Sequence, residues 1–274
     1  MNPYDLTAGP FLAIYALAFA ACLGFGLWWR QREPPSVFPP PPARTQGLDP
    51  VGWAYLAGGA VRAADTAAVG LLQSGQLKLD KKRNMLLPVP LADPPPASLA
   101  AYARRLKDPV SVADLSARLA SAFEAVAADL VVRGLAFDPP TRLRRGWASA
   151  APLLVLTVLG AIRILLGMAR ERPVGFIVGF TLLTLIAAVS LALKPPLARR
   201  AGREAVARHK DASSRLVRAP EADELMLAMA LVGGGALFGT PYAAFAKMRQ
   251  AVGGDGGGCG GGGGCGGGCG GCGS

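Results

Sequence analysis

From Leu6 to Trp29 the chain runs 24 residues without a charged side chain. A helix that crosses a hydrocarbon core of about 30 Å needs about 20 mostly apolar residues, so this run is long enough to span. It closes on Trp28 and Trp29, followed by Arg30 and Arg32. Indole rings favour the headgroup level, and basic residues favour the cytoplasmic side. Two more runs follow: Trp147 to Met168, interrupted only by Arg163, and Pro173 to Leu193, with no charge. Only Ala169-Arg170-Glu171-Arg172 separates them, which predicts a tight helical hairpin. The expected fold class is mainly α: a multi-pass membrane protein with three spans, over residues 6–29, 147–168 and 173–193.

Other uses of the first run fit less well. A cleaved signal peptide opens on basic residues, whereas this chain opens Met-Asn-Pro-Tyr-Asp. A lipoprotein signal would be cut before Cys22, but Phe19 is bulky for that site and the apolar run continues seven residues past Cys22. Cys22 therefore reads as a small apolar residue in a helix. Arg163 lies less than two turns from the hairpin loop, and a long basic side chain there reaches the interface by snorkelling. Gly175 and Gly179 form a small-xxx-small pair, with a looser one around Gly160; such pairs predict close helix packing within the hairpin.

Charge sets the orientation. The net charge is +11, concentrated where residues 30–146 carry 16 basic and 10 acidic side chains and residues 194–218 carry 8 basic and 2 acidic. Arg30 and Arg32 follow the first span, Arg142, Arg144 and Arg145 precede the second, and Lys194, Arg199, Arg200 and Arg203 follow the third. All three clusters share one side if the N-terminus is outside. The expected topology has the N-terminus outside, with residues 30–146 and 194–274 in the cytoplasm.

Residues 30–48 are a Pro-rich linker, with polyproline character from Pro39 to Pro42. Residues 49–140 read as a small helical, winged-helix-like cytoplasmic domain. Val51 to Leu56 is a short helix, Gly58-Gly59 a break, and Ala60 to Ser74 a longer helix. Apolar alternation in 76–79 and 85–87 around the polar 80–84 predicts a β-hairpin. After a second Pro-rich break, Ser98 to Leu106, Val112 to Leu119 and Phe123 to Val132 read as helices, and Leu135 to Phe137 as a short strand. Gly75 and Gly134 each follow a helix, where glycine supplies the left-handed residue that ends it, giving two helix–turn–strand units. The helix Ser121 to Val132 carries Glu124 and Asp129 and no basic residue, so it lacks the groups that read base edges. Nucleic acid is therefore not the expected partner; Lys81, Lys82 and Arg83 read as a solvated turn or a contact to phosphates or headgroups. In the segment 194–252, residues 225–246 are also charge-free. Gly233-Gly234-Gly235, Gly239 and Pro241 weaken a fourth span there, so a soluble or interfacial helix pair is expected.

The catalytic search finds no frame. His209 is the only histidine and lies in a basic run; P-loop, HExxH and GxSxG motifs are missing from the sequence. The tail, residues 253–274, is 16 Gly, 4 Cys, one Asp and one Ser. Cys259, Cys265, Cys269 and Cys272 are candidate zinc or iron–sulfur ligands. However, only Cys269 and Cys272 form a CxxC pair, and every spacer is glycine, which is entropically costly to order. A disordered low-complexity tail without a cofactor is the first expectation, and a metal- or thiol-binding tail the second.

Several blocks together carry a resemblance: Tyr55-Leu56-Ala57-Gly58-Gly59 through Leu77-Lys78-Leu79, Leu130 to Leu135, the apolar hairpin, Ala230-Leu231-Val232 with Leu237-Phe238-Gly239, and the tail. In this order they resemble a family of uncharacterised bacterial membrane proteins ending in a Gly/Cys-rich tail. The resemblance implies a protein of the bacterial cytoplasmic (inner) membrane and supplies no catalytic residues. The expected function is a non-enzymatic membrane anchor or interaction protein, whose partners are the lipid bilayer and another protein. A membrane-tethered DNA-binding regulator comes behind it, and an enzyme without a recognisable motif last.

Overall fold

A computed structural model describes residues 8–32, 43–89, 94–169, 175–213, 221 and 224–252, with side chains from residue 13 onward. In chain order these form α1 (Ala8–Gln31), α2 (Pro50–Gln73), β1 (Leu77–Asp80), β2 (Met85–Pro88), α3 (Ala100–Ala103), β3 (Val110–Ser111), α4 (Leu115–Arg118) and α5 (Ala120–Val132). Then follow α6 (Pro139–Ala169), α7 (Gly175–Leu193), α8 (Arg200–Ala212), α9 (Leu225–Val232), a 3-10 turn (Gly234–Leu237) and α10 (Ala243–Ala251). The chain divides into two units: residues 1–48 with 124–212, and residues 49–123 with 213–274.

The first unit is mainly helical and contains the three helices long and apolar enough to cross a membrane: Ala13–Gln31, Pro139–Ala169 and Gly175–Leu193. Their outer faces expose Leu17, Val155, Ile162, Leu165, Phe176 and Ile186. Helix α6, with 31 residues, is about 46 Å long at 1.5 Å per residue. It outruns the hydrocarbon, so its first two turns, holding Arg142, Arg144 and Arg145, extend past the apolar stretch. Inside the bundle, Ala150, Leu153, Ala188, Leu191 and Ala192 form the core, flanked by Phe19, Cys22 and Leu23 of α1. Lipid tails are as apolar as these side chains, so close packing and polar contacts must hold the helices together.

That close packing falls at glycines other than the pair marked in the sequence. A Cβ on Gly26 would stand 2.7 Å from the Ser149 carbonyl oxygen, and one on Gly146 2.6 Å from that of Ala192. A Cβ on Gly160 would collide with the Thr181 side chain and would lie 2.8 Å from the Tyr15 hydroxyl. Around Gly175 and Gly179 there is open space. Their small-xxx-small spacing therefore makes no helix contact among the described residues, and both glycines are exposed on α7. The Tyr15 hydroxyl donates to the Leu156 carbonyl at 3.2 Å and lies 3.3 Å from Thr184 Oγ1, linking all three helices.

Helix α5 ends at Gly134, whose φ is +73°. The amides of Leu135 and Ala136 then both bond the Leu130 carbonyl. The following residues make an isolated bridge, Ala136 with Ala198, rather than the expected strand. Phe137 N–H donates to Leu197 O at 3.0 Å and Arg199 N–H to Leu135 O at 2.9 Å. Gly202 of α8 abuts the Leu135 carbonyl, with no room for a Cβ.

In the second unit, the Asp49 carboxylate caps α2 by accepting from Gly52 N–H at 2.9 Å, with Pro50 in the first turn. The helix kinks at Gly59, with φ 73° and ψ −163°. Beyond the kink an alanine-rich face, including Ala63, Ala64, Ala67 and Ala68, is fully buried. Helix α9 packs on α2, with Met226 against Gly70. The expected hairpin forms: β1 and β2 pair antiparallel with Leu77 opposite Pro88 and Asp80 opposite Met85. Strand β3 adds antiparallel to β2 through Met85–Ser111 and Leu86–Val110, giving the order β1-β2-β3.

Two expected helices are shorter than the sequence suggested. Ser98 to Leu106 contributes only α3, and Val112 to Leu119 only α4. Between these two stretches the backbone at 110–111 joins the sheet, where pairing satisfies its polar groups. The run 225–246 is divided by Gly233 at φ 89° and Gly239 at φ 85°. Its first piece, α9, has eight residues, or about 12 Å, too short to span.

Candidate functional site

The densest polar constellation of the first unit lies at one end of the three apolar helices. Residues 30–32, 138–145 and 194–204 bring nine basic side chains and two carboxylates, Asp138 and Glu204. Side-chain contacts tie these segments together. Arg145 of α6 is buried, and its Nη2 donates to the carbonyls of Trp29 and Arg30 at 3.5 and 3.4 Å and to that of Arg32. The last carbonyls of a helix lack intrahelical partners and carry partial negative charge, so Arg145 caps α1 with a full positive charge. Arg203 of α8 adds to this cap, donating to Gln31 O at 3.3 Å and also to Ala198 O at 2.9 Å.

Phe137 organises the next layer. The Arg145 guanidinium carbon lies 4.6 Å from the ring centroid and that of Arg199 lies 5.2 Å away. Two like charges tolerate this proximity because the ring's negative face attracts both, and Arg199 Nε also donates to Ala136 O at 3.3 Å. On α1, Arg32 stacks over Trp28 at 4.0 Å. Arg200 holds Glu204 at 2.7 Å. That hydrogen bond first, then the charges of Arg200, Arg208 and Arg203, hold the Glu204 carboxyl below the usual carboxylate range. The collar is thus a set of cationic side chains, three of them against the rings of Trp28 and Phe137.

The second unit holds a different polar feature. Arg249 of α10 and Asp65 of α2 form a buried ion pair, with Nε 2.8 Å from Oδ1 and 2.9 Å from Oδ2. Arg249 Nη1 also donates to Val112 O at 2.5 Å. The pair is sealed from solvent and joins α2, α10 and the segment after β3. It is a clamp, and a substrate could reach it only by opening the unit.

The remaining sequence candidates fall as follows. Cys259, Cys265, Cys269 and Cys272 lie outside the described residues. Among the described residues no group of three or more His, Cys, Asp or Glu could hold a metal ion. Cys22 is half-buried on α1, against the bundle core. His209 lies in α8 and Arg163 in α6, six residues before its end at Ala169. Lys81, Lys82 and Arg83 are exposed at the hairpin turn, where the Asp80 carboxylate accepts from the amides of Lys82 and Arg83.

Sequence inspection marked the three arginine clusters but missed the special place of Arg145 and the Asp65–Arg249 pair. One signal was available: Asp65 is the single charge in an otherwise small and apolar stretch, Ala63 to Leu72. A carboxylate in such a setting needs a partner.

No family model matches the chain, and neither a curated protein nor a solved structure shows significant similarity to it.

Proposed function

We propose that the chain is a non-enzymatic anchor and interaction protein of a bacterial inner membrane. Three spans hold it there, with the N-terminus outside and the second unit in the cytoplasm, where it binds a protein partner. The single observation behind this is the convergence of the arginine-rich ends of α1, α6 and α7. Arg145 and Arg203 bond the end of α1, and Gly146 packs against the end of α7. Basic residues gathered at one end of a bundle favour that end in the cytoplasm. The order of the blocks and the Gly/Cys tail support placing the chain with the uncharacterised bacterial membrane proteins it resembles. Protease protection tests the sidedness. Trypsin is expected to cut at Lys81-Lys82-Arg83 in inside-out vesicles and to spare that turn in intact spheroplasts. Cutting in spheroplasts alone contradicts the reading.

A second reading rests on Cys269-x-x-Cys272 with Cys259 and Cys265: a tail that takes up zinc or an iron–sulfur cluster. Metal retained by the full chain and lost in C269S/C272S supports it; equal metal in both contradicts it. In layout we read residues 49–140 as winged-helix-like, with the β1–β2 hairpin as the wing. A tethered DNA-binding regulator would show duplex binding that falls steeply with salt. The absence of basic residues from α5 argues for a protein partner instead.

A further inference from the structure

The β1–β2 hairpin of the second unit carries cations that its own fold does not use. Lys81, Lys82 and Arg83 of the turn are exposed, as is Lys78 of β1. Lys78 lies two residues before Asp80, on the same face of the strand. None of the four makes an ion pair among the described residues. Elsewhere in the unit, Arg118 is held by Asp108 and Arg249 by Asp65.

The backbone beneath these cations is fixed. Asp80 Oδ1 accepts from the amides of Lys82 and Arg83 at 2.9 and 3.2 Å. Asn84 closes the turn in the left-handed region, with φ 58°, and its carbonyl accepts from Val112 N–H at 3.2 Å. Asp80 is the single acidic residue between Leu77 and Pro88, and its carboxylate bonds the backbone of the turn rather than the neighbouring cations. Charges displayed on a preordered turn lose less freedom on meeting a partner.

The partner these cations fit is a surface of many phosphates. Three of the four are lysines, compact charges that meet anions singly rather than through a bidentate fork. A duplex reader would also need side chains that reach base edges, and α5 carries no basic residue. On the membrane-anchor reading, the unit is joined in one chain to membrane-spanning helices. The leaflet is then present at high effective concentration, and weak contacts suffice.

We infer that the hairpin turn docks on anionic phospholipid headgroups through Lys78, Lys81, Lys82 and Arg83. This rests on the anchor reading and adds a second, charge-dependent contact with the bilayer. Each basic residue near an anionic headgroup layer is worth about a fivefold change in partitioning. The attraction decays over about 10 Å at 0.1 M salt, so the contact is reversible and salt releases it.

Lysine acylation reads this contact, because an ammonium beside phosphate anions stays protonated and reacts slowly. The full chain is placed in phosphatidylcholine nanodiscs with or without a minor fraction of phosphatidylglycerol. Initial rates with a neutral acylating reagent are followed at each lysine by peptide mass spectrometry. Lys247, exposed on α10 of the same unit, is the internal reference. The expected result is labelling of Lys81 and Lys82 several-fold slower, relative to Lys247, in the anionic discs. The difference vanishes at about 1 M salt, where the screening length is about 3 Å. In K81Q/K82Q/R83Q the matching slowing at Lys78 is expected to fall away. Equal relative rates in the two kinds of disc overturn the proposal, and so does a slowing at Lys78 that persists in the triple variant. Protection of the turn by a short DNA duplex in phosphatidylcholine discs, with none from phosphatidylglycerol, also overturns it and assigns the cations to nucleic acid. Failure of the anchor reading looks different: the chain would not co-elute with discs of either composition.

Discussion

Asp65 and Arg249 are separated by 184 positions, yet they form the most secluded ion pair described in the molecule. Removing one partner strands a buried charge, which costs about 3–5 kcal/mol, whereas an apolar pair of similar volume is often neutral or stabilising. R249M is therefore expected to lower the unfolding midpoint of the purified chain sharply, and D65L/R249M to recover most of the loss. A double variant as unstable as the sum of the singles would show that the pair does more than close the unit. Tyr102 gives a second residue-level test. Burial first, then the Asp49 charge, raises its phenol from 10.0 to about 12. The folded state thus keeps a proton that the unfolded chain releases. The resulting stabilisation is complete below pH 10 and is lost as pH rises from about 10 through about 12. In Tyr102→Phe the fall in stability over this window is expected to be shallower in an alkaline unfolding series. An unchanged slope would contradict the raised phenol. Asp65's isolation among small apolar residues hinted at a partner, but that the partner is Arg249, and that Tyr102 is buried, was not legible, because both depend on neighbours distant in sequence.

At the scale of elements, the sequence was most informative where one residue type decides the backbone. Gly59, Gly75 and Gly134 all adopt positive φ, near +73°, and the break and both helix ends fall at them. The hairpin was legible from alternation and its polar turn. The lengths of α3 and α4 were not, and neither was β3, whose two residues lie between the two expected helices and are selected by pairing with β2. The glycines of the bundle teach the same lesson. Spacing singled out Gly175 and Gly179, but packing selects Gly26, Gly146 and Gly160. Gly160→Leu is expected to destabilise the bundle by more than about 1–3 kcal/mol, the usual cost of overpacking, and Gly179→Leu to leave it nearly unchanged. The check is thermal stability of each variant in detergent; equal effects would refute the assigned packing.

For the whole molecule, three long apolar runs, two of them charge-free and one broken only by Arg163, announced the membrane-spanning class, because chains find few other uses for such lengths. The composition of the second unit was harder to see. Residues 49–140 read as a domain by themselves, but the unit is built from 49–123 and 213–274, with α9 returning to cover the alanine face of α2. A short apolar helix such as α9 gives no sign in sequence of the surface it will bury. The arginine clusters were visible one by one; that Arg145 and Arg203 cap α1 required the folded bundle. The claim that all the basic ends face the cytoplasm is tested most directly by fusing a compartment-sensitive reporter after Ser274. The account expects a cytoplasmic signal, with the tail thiols in a reducing space. An external signal would contradict it, requiring either another crossing before the tail or a reversed orientation.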